Sequence, residues 1–563
     1  MDENFTRRVY LGGFLILVFS LFYYQVIKGD YYLSRAKNNY VRAIPIRSIR
    51  GQILDRNAVA LARDRAAYNI AVIPYQIIKN KDAAFGKIAD FLGVDLKSIK
   101  RNYKRGVTGM FSPVDVVTDV DKKEALTLKE KYPTDITINS QPQRYYPYSY
   151  ECSHILGYVK SASAFYDDLK KYGYTPLERA GFSGLEQYYD VYLKGEDGGD
   201  LIEVDSVGRT VGFLGKRKPT KGKDIYITID SRIQNIIHRH IKNRRGTVIV
   251  MNSDTGEIIS LVSSPSYDAN QFIVGRGVGK FFTDSNKPLL NRAIQATYPL
   301  GSTFKPIMAT AGLEEMKITP FTPFMCNGSL KLGRARFRCW STHGKQDLYR
   351  ALAHSCNVYF YNLGLILEAD AISLWAKRFH LDALTEIDLP YEKKGFVPSE
   401  GWKRSEMNTA WYGGDTVNFS IGQGFMEGSP IALLVAINAF AVNGYIVKPY
   451  LLKSVGGIES RLVERVNIGI PRKTLDVVRK GIKMVVHSPS GTARKLKGLG
   501  LGISGKTGTA QTNGKSHGWF AGFFEYNKTK YSFCVFLENS GSSHFAVDLS
   551  YDFLKELKEK KLL

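Results

Sequence analysis

Three short runs between residues 302 and 508 must converge on one point if this chain is to use them together. They are Ser302-x-x-Lys305 in YPLGSTFKP, Ser355-x-Asn357 in HSCNVYF, and Lys506-Thr507-Gly508 in ISGKTGTAQ. Such convergence demands a fold that brings a helix start, a turn and a strand to a single cleft. One run alone carries no weight, since Ser-x-x-Lys also occurs at Ser34 to Lys37. Together, in this order, they are the parts of an acyl-serine enzyme with a lysine base.

A serine hydroxyl is a weak nucleophile and needs an adjacent base. Positions i and i+3 share a helix face, so Ser302 and Lys305 meet if the helix starts near Ser302. Pro306 supports that start, because its missing N–H is harmless only in the first turn. Ser302 then lies at the positive helix end. Lys305 must be neutral to act as a base; burial and a second cation, with Lys506 the candidate, lower its pKa. Ser355 can pass the proton on to a leaving amine. Asn357 can orient Lys305 and bond a substrate amide, although Ser and Asn also favour plain turns. Residues 503–511 predict a strand whose edge Gly505 and Gly508 leave bare, so that a peptide adds as a further strand. Lys506, Thr507 and Thr509 offer a charge and two hydroxyls for a carboxylate. The backbone N–H groups of Ser302 and Thr509 are the natural oxyanion donors.

The 563 residues allow several domains, and 44% hydrophobic with 23% charged residues indicates globular structure. The formal net charge of +25 is spread along the chain, with no nucleic-acid-binding signature. The expected partners therefore exclude nucleic acid and include anionic lipid and polymer surfaces. Val9 to Ile27 is a 19-residue uncharged run, long enough to cross a bilayer core. No small-x-small cleavage site follows it, so it reads as an uncleaved anchor. Its flanking charges (Arg7 and Arg8 before, Lys28, Arg35 and Lys37 after) leave the orientation open.

The expected organisation is a tail over 1–8, an anchor over 9–27, a mixed domain over 28–220, a second domain over 221–555 and a polar tail over 556–563. In the first domain KNKDAAFGKIADFLGVDLKSIK reads as short amphipathic helices and AAYNIAVIP as a strand. GKRKPTKGKD at 215–224 reads as a linker, and DIYITID after it as a strand. TVIVMNSDTGEIISLVSSP reads as two strands, IALLVAINAFAVNG as a buried helix, and GWFAGFFEY and YSFCVFLEN as strands. Strands at both ends with helices between predict an α+β domain whose first and last strands share a sheet.

These residues resemble the class B penicillin-binding proteins, and among them the penicillin-binding protein 2 group of the rod-elongation machinery. The likeness is carried by YPLGSTFKP, SCN, SIGQG at 420–424 and KTGTAQ followed by HGWFAGF. RSIRGQILDRN, RYYPYSYECSHILGYV and GFSGLEQYYD look like patches of that family's pedestal domain. The resemblance implies an anchor helix, an elongated α+β pedestal (the dimerisation-type domain), and a transpeptidase domain built on an antiparallel sheet with flanking helices. It implies that Ser302 attacks the penultimate D-Ala carbonyl of a peptidoglycan stem peptide, and that an amine of a second stem peptide completes the cross-link. β-Lactams would acylate Ser302. The implied partners are a SEDS-type glycosyltransferase such as RodA and an MreC-like scaffold. The implied location is the bacterial cytoplasmic (inner) membrane, with a single span and the C-terminal domains outside it.

Cys326, Cys339, His343 and Cys356 offer three thiolates and an imidazole in C-x12-C-x3-H-x12-C spacing, a ligand set for a structural zinc ion. Some members of the resembled group carry zinc here, with aspartates in place of the first two cysteines. The competing reading is a Cys326–Cys339 disulfide with Cys356 buried. Two rival functions stay open: a membrane-anchored hydrolase of the serine β-lactamase type, and a non-catalytic scaffold that activates a partner glycosyltransferase.

Overall fold

The computed structural model describes residues 3–107, 109–111, 113–162, 166–172, 174, 178–205, 210–275, 277–459 and 463–563. The first two residues of the expected tail lie outside these. The chain divides into two compact units that do not follow chain order: Met1–Arg50, Asp64–Gln143 and Lys194–Gly222 in one, Gly51–Arg63, Arg144–Leu193 and Lys223–Leu563 in the other.

The first unit begins with a helix, Glu3–Phe22, continued by a π-helical turn over Tyr23–Ile27. Residues 7–27 are apolar and entirely unburied, and this is the one helix among the described residues long and apolar enough to cross a membrane. Strands Val41–Ile46, Gly198–Val204 and Thr210–Arg217 form an antiparallel sheet. The last of these takes in Gly215 to Arg217, which the sequence assigns to a linker. Pairing of Gly199 with Arg217 and Leu201 with Gly215 satisfies backbone groups that a linker would leave to water. Helices Lys81–Leu92 and Leu96–Gly106 form as their periodicity predicts. Gly93 ends the first in the left-handed conformation and Asp95 caps the second, accepting from the Lys97 N–H. Their apolar sides meet Ile70, Val72 and Val116 in a small core around Phe85.

The second unit is built on a five-stranded sheet in the order Ile258–Ser264, Gly246–Asn252, Thr529–Leu537, His517–Tyr526, Ser504–Ala510. The first strand therefore pairs with the last across the whole domain, from Gly246 with Leu537 to Asn252 with Tyr531. Alternate residues enter two separate cores. Val248, Val250, Phe533 and Val535 pack with helices Ser231–Ile241 and His544–Glu559, while Ile249, Met251, Cys534 and Phe536 pack with helix Pro430–Ala441. Burial on both faces explains why these strands read as nearly unbroken apolar runs. Ser504–Ala510 stands at the sheet's end, as an added-strand site requires. The strand expected from DIYITID covers only Ile225–Ile227. It stops because the Thr228 hydroxyl turns to the Ile258 carbonyl and Asp230 caps the next helix.

The resemblance-assigned patches at Arg144 to Val159 and Gly181 to Asp190 lie in this second unit. Arg144 and Glu186 form a fully buried ion pair at 2.6 Å, and Arg144 also donates to the Gly51 carbonyl. Tyr189 donates to buried Asp388 at 2.7 Å, whose carboxylate also accepts from the Leu451 and Leu452 N–H groups.

Candidate active site

The three runs do converge. Ser302, Ser355, Asn357, Thr507 and Thr509 open into one cleft of about 1060 Å³. Ser302 sits in a 3-10 turn, Gly301–Phe304, that feeds helix Lys305–Glu314, with Pro306 in its first turn. Lys305 and Lys506 have no exposed surface and form the floor beneath it.

The centre of the floor is the Ser355 hydroxyl. It accepts from Lys506 Nζ at 2.8 Å and lies 3.4 Å from Lys305 Nζ. Lys305 Nζ also donates to the Ser355 carbonyl at 2.8 Å and to Asn357 Oδ1 at 2.7 Å. The direct Ser302–Lys305 hydrogen bond expected from i, i+3 spacing is not formed among the described residues. The Ser355 carbonyl and Asn357 Oδ1 hold the Lys305 amine instead, and Ser302 lines the cleft.

Ser355 is placed by local backbone chemistry. Its N–H bonds to the Leu352 carbonyl and the Cys356 N–H to the Ala351 carbonyl, closing helix Leu348–Ala353 in a Schellman motif. Ser355 occupies the left-handed position at φ +53°, where glycine is usual. A side chain there costs on the order of 1 kcal/mol and supplies the one hydroxyl shared by both lysines. Cys356 then starts helix Asn357–Arg378, which sets Asn357 beside Lys305.

Burial lowers the Lys305 pKa to about 8, partly opposed by the neighbouring cysteine sulfurs. Lys506 is pushed well below its ordinary value by burial first and by the Lys305 charge second, and since the repulsion is mutual each lysine favours the neutral form of the other. Neither lysine has a carboxylate partner among the described residues, so no carboxylate offsets the desolvation of either.

Gly505 and Gly508 serve a purpose other than baring the strand's outer edge. A Cβ on Gly508 would come within 2.9 Å of Thr303 Cγ2 and 3.0 Å of the Leu300 carbonyl, and one on Gly505 would meet the partner strand at Ala521. Both permit close packing, Gly508 against the segment that carries Ser302. Gly422 of SIGQG acts similarly: its carbonyl accepts from the Gly301 N–H at 2.8 Å.

Sequence reasoning missed several lining residues. Thr492 shares a 2.7 Å hydrogen bond with the Thr507 hydroxyl, and the Ser543 N–H donates to Thr509 Oγ1 at 3.2 Å. Gln423 reaches the Thr509 carbonyl at 3.5 Å; SIGQG carried the signal for it, whereas Thr492 and Ser543 sit in runs with no such mark.

Next to the floor, one donor atom each from Cys326, Cys339, His343 and Cys356 lies within 4.8 Å of the others. His343 Nδ1 is 3.5 Å from both the Cys326 and Cys339 sulfurs. All five cysteines are free, so the Cys326–Cys339 disulfide is not formed. The Asn357 N–H donates to Cys339 Sγ at 3.2 Å, which ties this cluster to the catalytic turn.

Known proteins resemble this chain. Residues 246–556 match the penicillin binding protein transpeptidase domain, and residues 45–227 match the penicillin-binding protein dimerisation domain. The chain belongs to the penicillin-binding protein transpeptidase family. It is thus a serine enzyme of the transpeptidase class. The peptidoglycan D,D-transpeptidase MrdA of Salmonella typhimurium is 33% identical over 591 residues, covering 96% of this chain and 94% of that one. Penicillin-binding protein 2 of Helicobacter pylori, solved in complex with MreC, superposes with a TM-score of 0.81 at 27% identity, covering 93% of this chain and all of that one. A chain from a peptidoglycan synthase complex that coordinates polymerisation and cross-linking gives a TM-score of 0.73 at 26% identity, covering 99% and 97%.

Proposed function

We propose that this penicillin-binding protein is a membrane-anchored peptidoglycan D,D-transpeptidase of cell-wall elongation. The observation that carries the reading is the Ser355 hydroxyl held between two buried lysines at the base of the cleft into which Ser302 opens. Ser302 Oγ attacks the penultimate D-Ala carbonyl of a stem peptide. Neutral Lys305 takes the hydroxyl proton, directly or through Ser355, and the backbone N–H groups of Ser302 and Thr509 receive the oxyanion. Ser355 delivers the proton to the leaving D-Ala amine, with Lys506 stabilising the hydroxyl in transit. An amine of a second stem peptide then attacks the acyl-Ser302 ester, and the same groups run in reverse. Water in its place gives carboxypeptidase chemistry. Lys506, Thr507 and Thr509 hold the terminal carboxylate, and Asn357 bonds the substrate amide. β-Lactams acylate Ser302 as mimics of the donor peptide.

The cysteine cluster fits zinc in its donor set: three soft sulfurs and an imidazole nitrogen lie within 4.8 Å of one another. Cys326, Cys339, His343 and Cys356 would hold it, and a closed set of four protein ligands supplies structure, not hydrolysis. Its role is to keep the turn carrying Ser355 and Asn357 in place, since Cys356 lies between them. The apolar helix anchors the chain in the inner membrane, with the tail over 1–8 in the cytoplasm and the domains that follow the helix outside it, where the wall is built. The partners we infer are a SEDS-type glycosyltransferase and an MreC-like scaffold, supported by the H. pylori complex and the synthase complex.

Labelling of the full chain with a fluorescent penicillin tests this. Wild-type protein takes one label, mapped by mass spectrometry to Ser302, and Ser302→Ala takes none. A label on any other residue overturns the assignment.

A further inference from the structure

The cleft carries positive charge that the acyl-transfer steps leave unused. Arg336, Arg338 and Arg494 line it, and none has a carboxylate partner among the described residues. Among the described residues the one acid lining it, Asp548, is held by Lys495 at 2.6 Å. A protein with a general excess of lysine and arginine has many exposed cations, so location and order must distinguish these three.

Arg336 and Arg338 do show order. They alternate on strand Ala335–Arg338 and so share one face, with Phe337 between them turned to Tyr361 at 6.0 Å between ring centres. The partner strand, Ser329–Leu332, sets Lys331 directly opposite Arg336. Like charges opposed across two strands are destabilising, so a two-stranded ribbon with three cations on one face and no acid among them is built against its own stability. The ribbon is also held. Arg336 Nε donates to Ser329 Oγ at 2.8 Å, which leaves its two terminal amino groups for a ligand. The Arg338 carbonyl accepts from Tyr361 OH at 3.2 Å and Asn357 Nδ2 at 3.4 Å, so the ribbon is fastened to the helix that begins with Asn357. A guanidinium fork of fixed position matches a carboxylate by two parallel hydrogen bonds.

We propose that Arg336, Arg338 and Arg494 form a carboxylate-recognition subsite, separate from the Lys506, Thr507 and Thr509 group on strand Ser504–Ala510. The ligand is a peptide that carries an acidic group away from its D-Ala-D-Ala end. The subsite makes the cleft selective for charged stem peptides. The inference rests on the transpeptidase reading and deepens it. The carboxylate belongs either to the donor peptide or to the acceptor, and the two enter at different steps.

The test uses the full chain in detergent micelles. Two synthetic peptides ending in D-Ala-D-Ala differ only in a carboxylate or a carboxamide on an upstream residue. The readout is the ratio of their kcat/KM values for D-Ala release, which cancels any damage common to both. In a second arm the preformed acyl-enzyme is offered acceptor amines with the same pair of groups. Wild-type protein prefers the carboxylate form, and Arg336→Gln, Arg338→Gln or Arg494→Gln each lowers the ratio by about tenfold, the scale of one charge-assisted pair. A change confined to the first arm assigns the carboxylate to the donor, and one confined to the second assigns it to the acceptor. Arg334→Gln, in the ribbon's turn and outside the cleft lining, leaves the ratio as in wild type. A wild-type ratio near one in both arms, or an equal fall in Arg334→Gln, overturns the subsite. Wild-type protein that takes no penicillin label at Ser302 overturns the transpeptidase reading itself, a separate failure.

Discussion

Two buried charged pairs in the second unit meet the cost of desolvation in opposite ways. Arg144 and Glu186 are both at most 1% exposed and neutralise each other at 2.6 Å. Lys305 and Lys506 are equally buried and have no counter-ion among the described residues. A buried pair keeps both partners charged and supports packing. Two buried cations that share one serine cannot both stay charged, so one becomes available as a base. Structure and catalysis differ here by a single missing carboxylate.

Removing the working groups gives the largest expected effects. Lys305→Ala slows penicillin acylation by roughly 10²–10⁴-fold, the usual worth of a general base, as read by stopped-flow labelling. A fall of less than tenfold would mean that burial without a counter-ion is not what makes the base. The same contrast has a pH signature. The neutral lysine is the active form and its pKa is about 8. The acylation rate should therefore climb as pH rises through about 8 and fall off about tenfold per unit below it. A flat profile between pH 6 and 9 sinks the lysine-base assignment.

The structural pair should behave differently. Glu186→Gln leaves Arg144 buried and charged, and breaking such a pair costs about 3–5 kcal/mol of stability. Denaturant melts should show the loss, while the folded fraction still acylates at the wild-type rate. If instead the folded protein lost acylation, the two buried-charge regions would not be separable.

The cysteine cluster lies between these cases, since it is structural and yet touches Asn357 and flanks Ser355. Chelation, or Cys356→Ser, should lower the melting temperature and the acylation rate together. Freshly purified reduced protein without zinc by elemental analysis would remove this link. The smallest effect is expected at Asp388, where Tyr189→Phe removes one hydrogen bond to a buried carboxylate. That loss is about 1.5–3 kcal/mol, visible in the melt and absent from the acylation rate.

Much of this was legible because the chemistry is local. Ser302, Lys305 and Pro306 lie within one turn, so helix geometry predicts their neighbourhood from spacing alone. Strands Gly246–Asn252 and Thr529–Leu537 were legible as strands, whereas their burial on both faces was not. What escaped was relational. Nothing in the order of residues marks Thr492 as a partner of Thr507, or Gly508 as the spacer that admits Leu300 and Thr303. Nor does it show that segments 51–63 and 144–193 belong to the same compact unit as the catalytic residues. GKRKPTKGKD looked like a linker because it is polar and basic and carries proline and glycine, but strand pairing outweighed composition for Gly215 to Arg217.

The sequence by itself determined which chemical groups are present and which short elements carry them: a serine at a helix start, a lysine one turn on, a second lysine on a strand, four metal-type donors, and an apolar helix. Only the tertiary structure decided their protonation and partners. Lys305 and Lys506 are ordinary lysines until the fold removes water from both and sets them on one hydroxyl, because a pKa depends on the solvent and charge around a group and not on its neighbours in the chain.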